Sequence, residues 1–373
     1  MTDWRDNTPG TDPVCVVGAG FSLAVLESPP PSTRDLIPDS VCYHAVKFPI
    51  LKCLVQDLPT AVNSGFDPDI SINSVWRRLG EFGQFLSSHF RQVFDDYAKQ
   101  PDDSRIWNVV RRLILAYDPS RFIEIMLEIE LKRMVALQFD GSTLRPKPVR
   151  DFPGLEALLE GQHSSTTTWI SLNYDTALEV LLQAMTKAGA WRYCFDGWFA
   201  GDAAIDGARH ILAKPHGSVN VWFDTVWQVP PLHTVYFADP QDHLKTCSEA
   251  KVGGDNFREG ESPREYRPWL VGYVPDEMKY ELNSPGFYAD AAHDLCKGNL
   301  AFAGLSLQKA TSLYVLGYSM PTEDTWMWSR VGGMHDKSVP VYVASRGDTE
   351  SIVNQFRVRG FSSVYNLSDS GCI

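Results

Sequence analysis

The sequence predicts an α/β fold in which a parallel β-sheet is covered by helices on both faces. Short apolar runs of strand length alternate with amphipathic segments of helix length near both ends of the chain. This alternation is typical of parallel sheets, because each crossover helix must return across a face of the sheet. In addition, four predicted strands run into glycine-containing or polar motifs. Open parallel sheets bind ligands at that edge.

The first predicted strand follows a polar tail. Residues 1–12 are polar and predict a flexible segment, whereas residues 13–17 are continuously apolar, as a buried strand requires. Residues 23–70 mix prolines with short apolar segments, which predicts loops with short helices.

A helical block follows between residues 73 and 137. Its apolar residues recur at the spacing of one helix face, as in Val75, Leu79, Phe82, Phe85, Leu86, Phe90 and Phe94. We therefore expect three parts: a tail (1–12), a sheet domain formed by residues 13–70 and 150–373, and an inserted helical subdomain (71–149).

Strand and helix patterns alternate again in the second half of the chain. The predicted strands are "TTTWISL" (166–172), "HILA" (210–213), "SLYVLGYS" (312–319), "VPVYVAS" (339–345) and "FSSVYNL" (361–367). The predicted helices lie in "DTALEVLLQAMTKAG" (175–189), "FYADAAHDLCKGNLAFAGLSLQKA" (287–310), "PTEDTWMWSRVGGM" (321–334) and "DTESIVNQFRVRG" (348–360). The polar segment 238–268 predicts a long loop.

The charge of the chain argues against several classes of partner. The formal net charge is −12 and the isoelectric point is near 5.2, so the chain has no general attraction for nucleic acid or anionic lipid. The dense basic stretch Arg145–Arg150 is short and interrupted by prolines, and we interpret it as a solvated linker. We expect no direct binding of nucleic acid.

The cysteines indicate a reducing compartment and no zinc site. The chain has seven cysteines, and no two of them are separated by only two residues, as the knuckles of a zinc ribbon require. The scattered, odd set argues against a disulfide framework. The N-terminus lacks a signal-peptide pattern, and no apolar run approaches the roughly 20 residues that span a bilayer. We expect a cytoplasmic protein with no membrane segment and no bound metal.

The first motif is Gly18-Ala19-Gly20-Phe21-Ser22, directly after the first strand. Its glycines permit a tight turn whose amides can face a pyrophosphate, and Ser22 adds a hydroxyl donor. Leu23 stands where the third glycine of an ordinary dinucleotide-binding turn would be. A tight strand-to-helix turn without a ligand explains the motif equally well.

Two further motifs follow later strands. In "SLNYDTALE", Asn173 lies at a strand end where pockets open, whereas Asp175 has the position of a helix N-cap. In "KPHGS", His216 lies between a strand and a glycine. A single histidine in this context is more often a structural hydrogen-bonding group than a catalyst.

The fourth motif, "VLGYSMPTED", places Gly317 and Ser319 in another turn of close approach, and Pro321 suits a helix start. Together and in this order, the four motifs resemble the SIR2-like family of prokaryotic NAD-consuming proteins. These are relatives of the sirtuins, and several of them act in anti-phage defence. The resemblance extends from Val14 to about Ala344 and leaves the inserted helices and residues 238–268 uncovered.

The resemblance implies a Rossmann-like domain that binds NAD as its substrate, with a helical subdomain closing the pocket. It implies that Gly18, Ala19, Gly20 and Ser22 contact the cofactor phosphates, and that Gly317 and Ser319 contact the ADP-ribose portion. Asn173 would lie beside the nicotinamide ribose, Asp175 near the nicotinamide carboxamide, and His216 would be the general base.

Some positions depart from the sirtuin pattern. The paired cysteines that hold the zinc of sirtuin deacylases are absent, which favours hydrolysis or cyclisation of NAD over deacylation. The run after the glycine turn is replaced by "ESPPPSTRDLI", in which Arg34 is a candidate cofactor contact. Ser345 stands where many relatives have an asparagine that contacts the adenosine ribose.

We therefore expect an NAD+ glycohydrolase that releases nicotinamide and ADP-ribose. A non-catalytic module that binds NAD or ADP-ribose and a zinc-free deacylase are the alternatives. Because a permanently active NADase would poison its host, we expect activation by assembly during phage infection. The family resemblance and the length of the chain favour a homo-oligomer with a separately encoded partner, a HerA-type ATPase first and a short Argonaute-type protein second.

Overall fold

In the computed structural model, the described part of the chain contains two β-sheets and the helices that accompany them. The described residues are 11–28, 50–56, 70–87, 144–160, 166–187, 189–195, 207–224, 235–237, 266–270, 289–321 and 324–368, with isolated positions between 37 and 48 and between 120 and 135.

A parallel sheet of seven strands forms the centre of the fold, in the order β10-β9-β8-β1-β2-β4-β3. A second sheet of three antiparallel strands has the order β6-β5-β7. The strands are β1 (Thr11–Val17), β2 (Thr166–Ser171), β3 (Trp191–Tyr193), β4 (His210–Ala213), β5 (Gly217–Asp224), β6 (Val235–Phe237), β7 (Tyr266–Leu270), β8 (Ser312–Leu316), β9 (Val341–Ala344) and β10 (Val364–Asn366).

Helices cover both faces of the parallel sheet, which confirms the predicted α/β, Rossmann-like fold. The helices of the described residues are α1 (Ala19–Val25), α2 (Ile72–Arg77), α3 (Leu79–Ser87), α4 (Pro153–Glu160), α5 (Ala177–Met185), α6 (Ala289–Gln308), α7 (Thr325–Gly332) and α8 (Thr349–Val358). Of these, α2 and α3 belong to a separate compact unit and are not among the helices that cover the sheet. Helix α5 contacts α1 and α4, whereas α6 contacts α7 and α8 contacts β9 and β10. The chain crosses from β1 to β2 in one direction and from β8 to β10 in the other. Right-handed crossovers therefore place the two helix groups on opposite faces.

The central strand β1 is apolar because it is covered on both faces and paired on both edges. Residues Val14–Val17 are almost completely buried, and Cys15 lies in register between Trp169 of β2 and Tyr314 of β8. The direction of the strand order changes between β1 and β8. The carboxyl ends of these two strands thus form the switch point at which open α/β sheets bind ligands.

The antiparallel sheet was not predicted. Strand β7 begins at Tyr266, inside the segment 238–268 that was predicted to be a loop, so that prediction is wrong for its last residues; residues 238–265 lie outside the described residues. The segment carries Gly, Pro and charge, and Pro268 stands inside the strand itself. Proline within a strand pattern normally argues against a strand, which explains the error.

The basic stretch Arg145–Arg150 is hydrogen-bonded to the end of α1, while Arg145 and Arg150 themselves are exposed, as its interpretation as a solvated segment requires. Arg145 O accepts a hydrogen bond from Glu27 N, and Lys147 N donates one to Val25 O. The ammonium of Lys147 donates to Ala24 O at 2.8 Å. A lysine close to the end of α1 thus satisfies carbonyl oxygens that have no partner within the helix.

The chain divides into two compact units. The first comprises Met1–Pro30, Phe139–Val271 and Pro275–Ile373, and it contains both sheets. The second comprises Pro31–Gln138 and Gly272–Val274. Within the second unit, the buried carboxylate of Glu130 accepts hydrogen bonds from the amides of Ile50 and Leu51 at 3.0 and 2.8 Å. The domain boundaries expected from the sequence stay a prediction.

Among the described helices, none combines the length and apolarity needed to cross a bilayer.

Candidate functional site

Two glycine turns meet at the switch point of the sheet. The amide of Gly18 donates to Leu316 O at 3.1 Å, and the amide of Gly20 donates to Gly317 O at 2.8 Å. Gly317 has a φ of +62°, and a Cβ atom on it would lie 2.0 Å from the amide nitrogen of Phe21. The two turns can therefore approach each other this closely only because glycines, which have no side chain, stand at these positions.

This contact changes what the first turn can offer to a ligand. The amides of Gly18 and Gly20, and that of Phe21 through Gly18 O, already donate within the protein. Ala19 and Ser319 are exposed, one on each turn. The predicted contacts of both turns with cofactor phosphates and ADP-ribose stay predictions.

Behind the glycine turns lies a buried polar cluster formed by Ser22, Asn173 and Asp175. The hydroxyl of Ser22 donates to the Asp175 carboxylate, with oxygen–oxygen distances of 2.9 and 3.1 Å. The amide nitrogen Nδ2 of Asn173 donates to Ser22 Oγ and to Gly18 O, both at 2.9 Å. All three side chains of the cluster are at least nine-tenths buried. The structure thus brings together three of the predicted site residues from two separate turns.

Asp175 serves the start of helix α5 as well as the cluster. Its Oδ1 accepts a hydrogen bond from Ala177 N at 2.9 Å. Burial raises the pKa of this carboxyl, while the positive charge of Lys214 and the hydrogen bonds from Ala177 and Ser22 lower it, and the charge of Glu179 raises it. Asp175 therefore has the structural role expected of a residue at a helix start, and it also presents a carboxyl group within the cluster.

His216 lies on the loop after β4, at the same edge of the sheet. Its Nδ1 is 3.1 Å from the carbonyl oxygen of Leu172. Because a carbonyl oxygen only accepts, Nδ1 carries the hydrogen, and in the neutral ring Nε2 holds the lone pair that takes up a proton. The ring is buried, and its centroid is 6.4 Å from that of Tyr174. This tautomer suits a general base.

The loops that carry Asn173 and His216 are bonded to each other. Val219 N donates to Tyr174 O at 3.0 Å, in addition to the bond between His216 and Leu172. Gly217, with a φ of +88°, lets the chain turn back directly after His216. The two loops are consequently held against each other at the carboxyl ends of β2 and β4.

The turn after β8 has an unusual backbone. Besides Gly317, the non-glycine residue Met320 has a positive φ of +48°. The Tyr318 hydroxyl donates to the Asp324 carboxylate, which also caps helix α7 by accepting from Met327 N at 3.1 Å. Non-glycine residues with a positive φ are most common at functional sites, and they persist only where the surrounding structure holds the strained backbone in place.

Of the two further candidate cofactor contacts named from the sequence, Ser345 is among the described residues and does not belong to the cluster. Ser345, at the end of β9, is bonded to Ser368 and to the amide of Gly347. Arg34 lies outside the described residues.

The roles of Lys214 and Glu179 are not predicted from the sequence, although Lys214 belongs to the KPHGS motif and Glu179 to the SLNYDTALE motif. They form a fully buried ion pair with an Nζ–Oε1 distance of 2.8 Å. A charged residue directly after the apolar strand β4, and another within the apolar helix α5, were the available signals. Charges in such positions are almost never buried without a partner.

The chemistry of the site is that of neutral and acidic oxygen groups beside an imidazole. Within the part of the chain that the structure describes, no group of three or more His, Cys, Asp or Glu side chains could hold a metal ion.

No protein-family model matches the chain, and a search of curated proteins finds no significant similarity. The family resemblance accordingly rests on the four motifs and their arrangement.

Proposed function

We propose that this protein is an NAD+ glycohydrolase that cleaves the bond between nicotinamide and ribose. One observation carries the proposal: Ser22, Asn173 and Asp175 form a hydrogen-bonded cluster at the carboxyl ends of β1 and β2, beside the switch point, and the turn that carries Asn173 and Asp175 is bonded to the loop that carries His216. The residue types of the cluster match those of the SIR2-like motifs. The position is the one at which this fold class binds nucleotides.

The proposed reaction needs a neutral hydrogen-bonding group and a general base, and both kinds of side chain lie in the candidate site. Breaking the glycosidic bond develops positive charge on the anomeric carbon, while nicotinamide leaves as a neutral molecule. In the proposal, the neutral amide of Asn173 orients a water or a ribose hydroxyl beside that carbon. His216 accepts the proton from this oxygen at Nε2. Positioned acid–base groups of this kind contribute about 100- to 10,000-fold to a rate.

Asp175 has a different task in the proposal. Its carboxyl binds the carboxamide of nicotinamide and thereby selects the leaving group. The carboxylate oxygens of Asp175 accept hydrogen bonds from Ser22 and Ala177 within the protein, and their remaining lone pairs can accept one from the amide nitrogen of the carboxamide.

We further propose that activity depends on assembly. An NADase that is always active would deplete the NAD of its own cell, so a trigger such as phage infection has to switch it on. A homo-oligomer, together with a separately encoded HerA-type ATPase, is the favoured arrangement, and a short Argonaute-type partner is the second choice. Depletion of NAD would then abort the infection.

The proposal is tested by incubating the purified chain with NAD+, alone and with each candidate partner, and measuring nicotinamide by chromatography. The variants Asn173→Ala and His216→Ala are each expected to reduce the rate by about 100-fold or more. The exposed substitution Ser338→Ala serves as a control and is expected to leave the rate unchanged. If no preparation releases nicotinamide, the proposed activity is wrong.

A non-catalytic module that binds NAD or ADP-ribose is the second candidate, and one observation favours it. Asp175 and His216 both have hydrogen-bond partners within the protein that explain their positions without any reaction. His216→Ala separates the two candidates, because a binding module would keep both its affinity for NAD and its biological effect. Cleavage of a labelled acyl-lysine peptide would instead indicate a zinc-free deacylase.

A further inference from the structure

Lys214 forms an ion pair with Glu179 of helix α5 and also bonds to the turn that carries Asp175, so it joins the two loops of the candidate site. Both side chains are 0% exposed, and the ammonium of Lys214 bonds to Glu179 Oε1 at 2.8 Å. The same ammonium donates to the backbone carbonyl oxygen of Asp175 at 2.5 Å. Lys214 precedes His216 by two residues, so it connects the backbone beside a candidate catalytic residue to the backbone of Asp175, the expected contact of the nicotinamide carboxamide.

A buried polar network supports this ion pair from several elements. The Tyr193 hydroxyl donates to Glu179 Oε1 at 3.0 Å, and Asn220 Nδ2 donates to the Tyr193 hydroxyl at 2.8 Å. The backbone amide of Lys214 donates to Asn299 Oδ1 at 2.9 Å. Strand β3, strand β5 and helix α6 therefore all help to fix the loop that begins at Lys214.

Stability alone does not account for the pair. Two charges lose their hydration when they are buried, and a well-packed apolar pair of similar volume is often equally stable or more stable. An apolar pair, however, would offer no donor to the Asp175 carbonyl. The specific contribution of the ion pair is thus a geometric one, a directed hydrogen bond from Lys214 to the turn that carries the cluster.

We propose that Lys214 is a positioning residue of the candidate site and that Glu179 is its counter-ion. By bonding to the Asp175 carbonyl, Lys214 holds the turn of residues 173–176 against the loop of residues 214–218. Asn173, Asp175 and His216 then face a common ligand. This inference rests on the proposed function for its catalytic consequence, although the positioning itself is a property of the protein without ligand.

The electrostatics agree with the geometry. The positive charge of Lys214 is the largest influence that opposes the effect of burial on Asp175, and the negative charge of Glu179 acts in the opposite direction. The pair thus sets the electrostatic environment of the carboxyl group as well as its position.

The test uses the full chain and four variants: Lys214→Met, Glu179→Met, the double variant that carries both changes, and His210→Gln as a control. His210 lies on the same strand, β4, at its opposite end and belongs to neither loop. Three quantities are measured: the thermal midpoint, the kcat for nicotinamide release, and amide hydrogen exchange in the segments 171–179 and 214–218, with 312–316 as the reference segment.

Each single variant leaves one unpaired buried charge and is expected to lower the thermal midpoint. The double variant is expected to recover most of the midpoint but to keep a kcat about 10- to 100-fold below that of the natural chain, since small misplacements of reacting groups have effects of this size. Exchange in the segments 171–179 and 214–218 should be faster than in the natural chain, with no change in the segment 312–316. The control is expected to keep kcat.

A purely structural ion pair would give another result. The double variant would then recover kcat along with the midpoint, or its exchange would match that of the natural chain, and either outcome overturns the inference. If the natural chain releases no nicotinamide, the proposed function fails, and the exchange measurement alone decides whether Lys214 holds the turn.

Discussion

Ser22 and Asp175 are 153 positions apart in the chain, yet the Ser22 hydroxyl lies 2.9 and 3.1 Å from the two carboxylate oxygens of Asp175. Ser22 belongs to helix α1 after the first strand, and Asp175 belongs to the turn after the second. Because β1 and β2 are neighbours in the parallel sheet, their carboxyl ends lie side by side. The hydrogen bond is the direct consequence of this topology, and the candidate site is built around it.

Removing the Ser22 hydroxyl is expected to destabilise the protein. Ser22→Ala deprives the buried Asp175 carboxylate of a donor and Asn173 Nδ2 of an acceptor, and unsatisfied buried groups cost about 1–3 kcal/mol. The free energy of unfolding, measured by chemical denaturation, should fall by this amount. The exposed Ser338→Ala is the control and should change it by less than about 0.5 kcal/mol. Equal effects of the two substitutions would mean that the cluster does not form.

The contact between the two glycine turns predicts a large effect at Gly317. Gly317→Ala would combine a positive φ with a Cβ only 2.0 Å from Phe21 N, so the turns would have to separate. Gly360 also has a positive φ, of +93°, but a Cβ there meets nothing within 4 Å. Gly360→Ala is therefore expected to cost about 1–2 kcal/mol, the strain of the backbone alone. Gly317→Ala should cost clearly more, or prevent folding, and a similar loss for both would contradict the close contact.

His210 predicts a dependence of stability on pH. Its Nδ1 accepts from Trp169 Nε1 at 3.2 Å, and Nε2 is 3.1 Å from Leu159 O, so the buried ring is neutral. Burial lowers the pKa of His210 below its usual value near 6.5, and the charge of Arg209 adds to this effect. The unfolded chain then binds more protons than the folded one, so the stability contributed by this group is lost as the pH falls below about 6.5.

The measurement for His210 is the free energy of unfolding, obtained by chemical denaturation between pH 5 and 8. The natural chain should lose stability toward pH 5, with a limiting slope of about 1.4 kcal/mol per pH unit from this group. His210→Gln keeps an acceptor and a donor without titrating, and it should flatten this part of the curve. An unchanged slope in the variant would show that His210 is not the group responsible.

Asp175 predicts a pH dependence of stability in the opposite direction to that of His210. Its pKa is raised by burial, so the folded chain binds the proton more tightly than the unfolded one, and stability from this group falls as the pH rises through its titration range. Asp175→Asn removes the charge with little change of shape. The difference in unfolding free energy between the variant and the natural chain should therefore move in favour of the variant as the pH rises above about 3.9. A difference that stays constant with pH would contradict the raised pKa.

The sequence was sufficient to predict six of the seven strands of the parallel sheet and the turns that follow four of them, whereas the short edge strand β3 was missed. A continuous apolar run such as Val14–Val17 has few alternatives to a central strand, and glycine or polar residues after a strand indicate the ligand-binding edge. The pairing of Lys214 with Glu179 could not be predicted, because side chains distant in the chain meet only through the order of the strands. Strand β7 could not be predicted either, because its partner β5 is distant in the chain and the proline within β7 argues against a strand.

The glycine turn shows where an interpretation from sequence reached its limit. Its two glycines were equally compatible with a phosphate and with a tight turn. In the structure they meet another turn, through Gly317, and the amides of Gly18 and Gly20 donate within the protein. The most specific features of the candidate site are thus the polar side chains behind the turn, Ser22, Asn173 and Asp175.

The most direct test of the central claim is the rate of nicotinamide release from NAD+ by the natural chain, alone and with its candidate partners, compared with that of His216→Ala under the same conditions. We expect release by the natural chain and a decrease of about 100-fold or more in the variant, with NAD binding retained. Release that is absent from the natural chain, or unchanged by the substitution, would contradict the central claim.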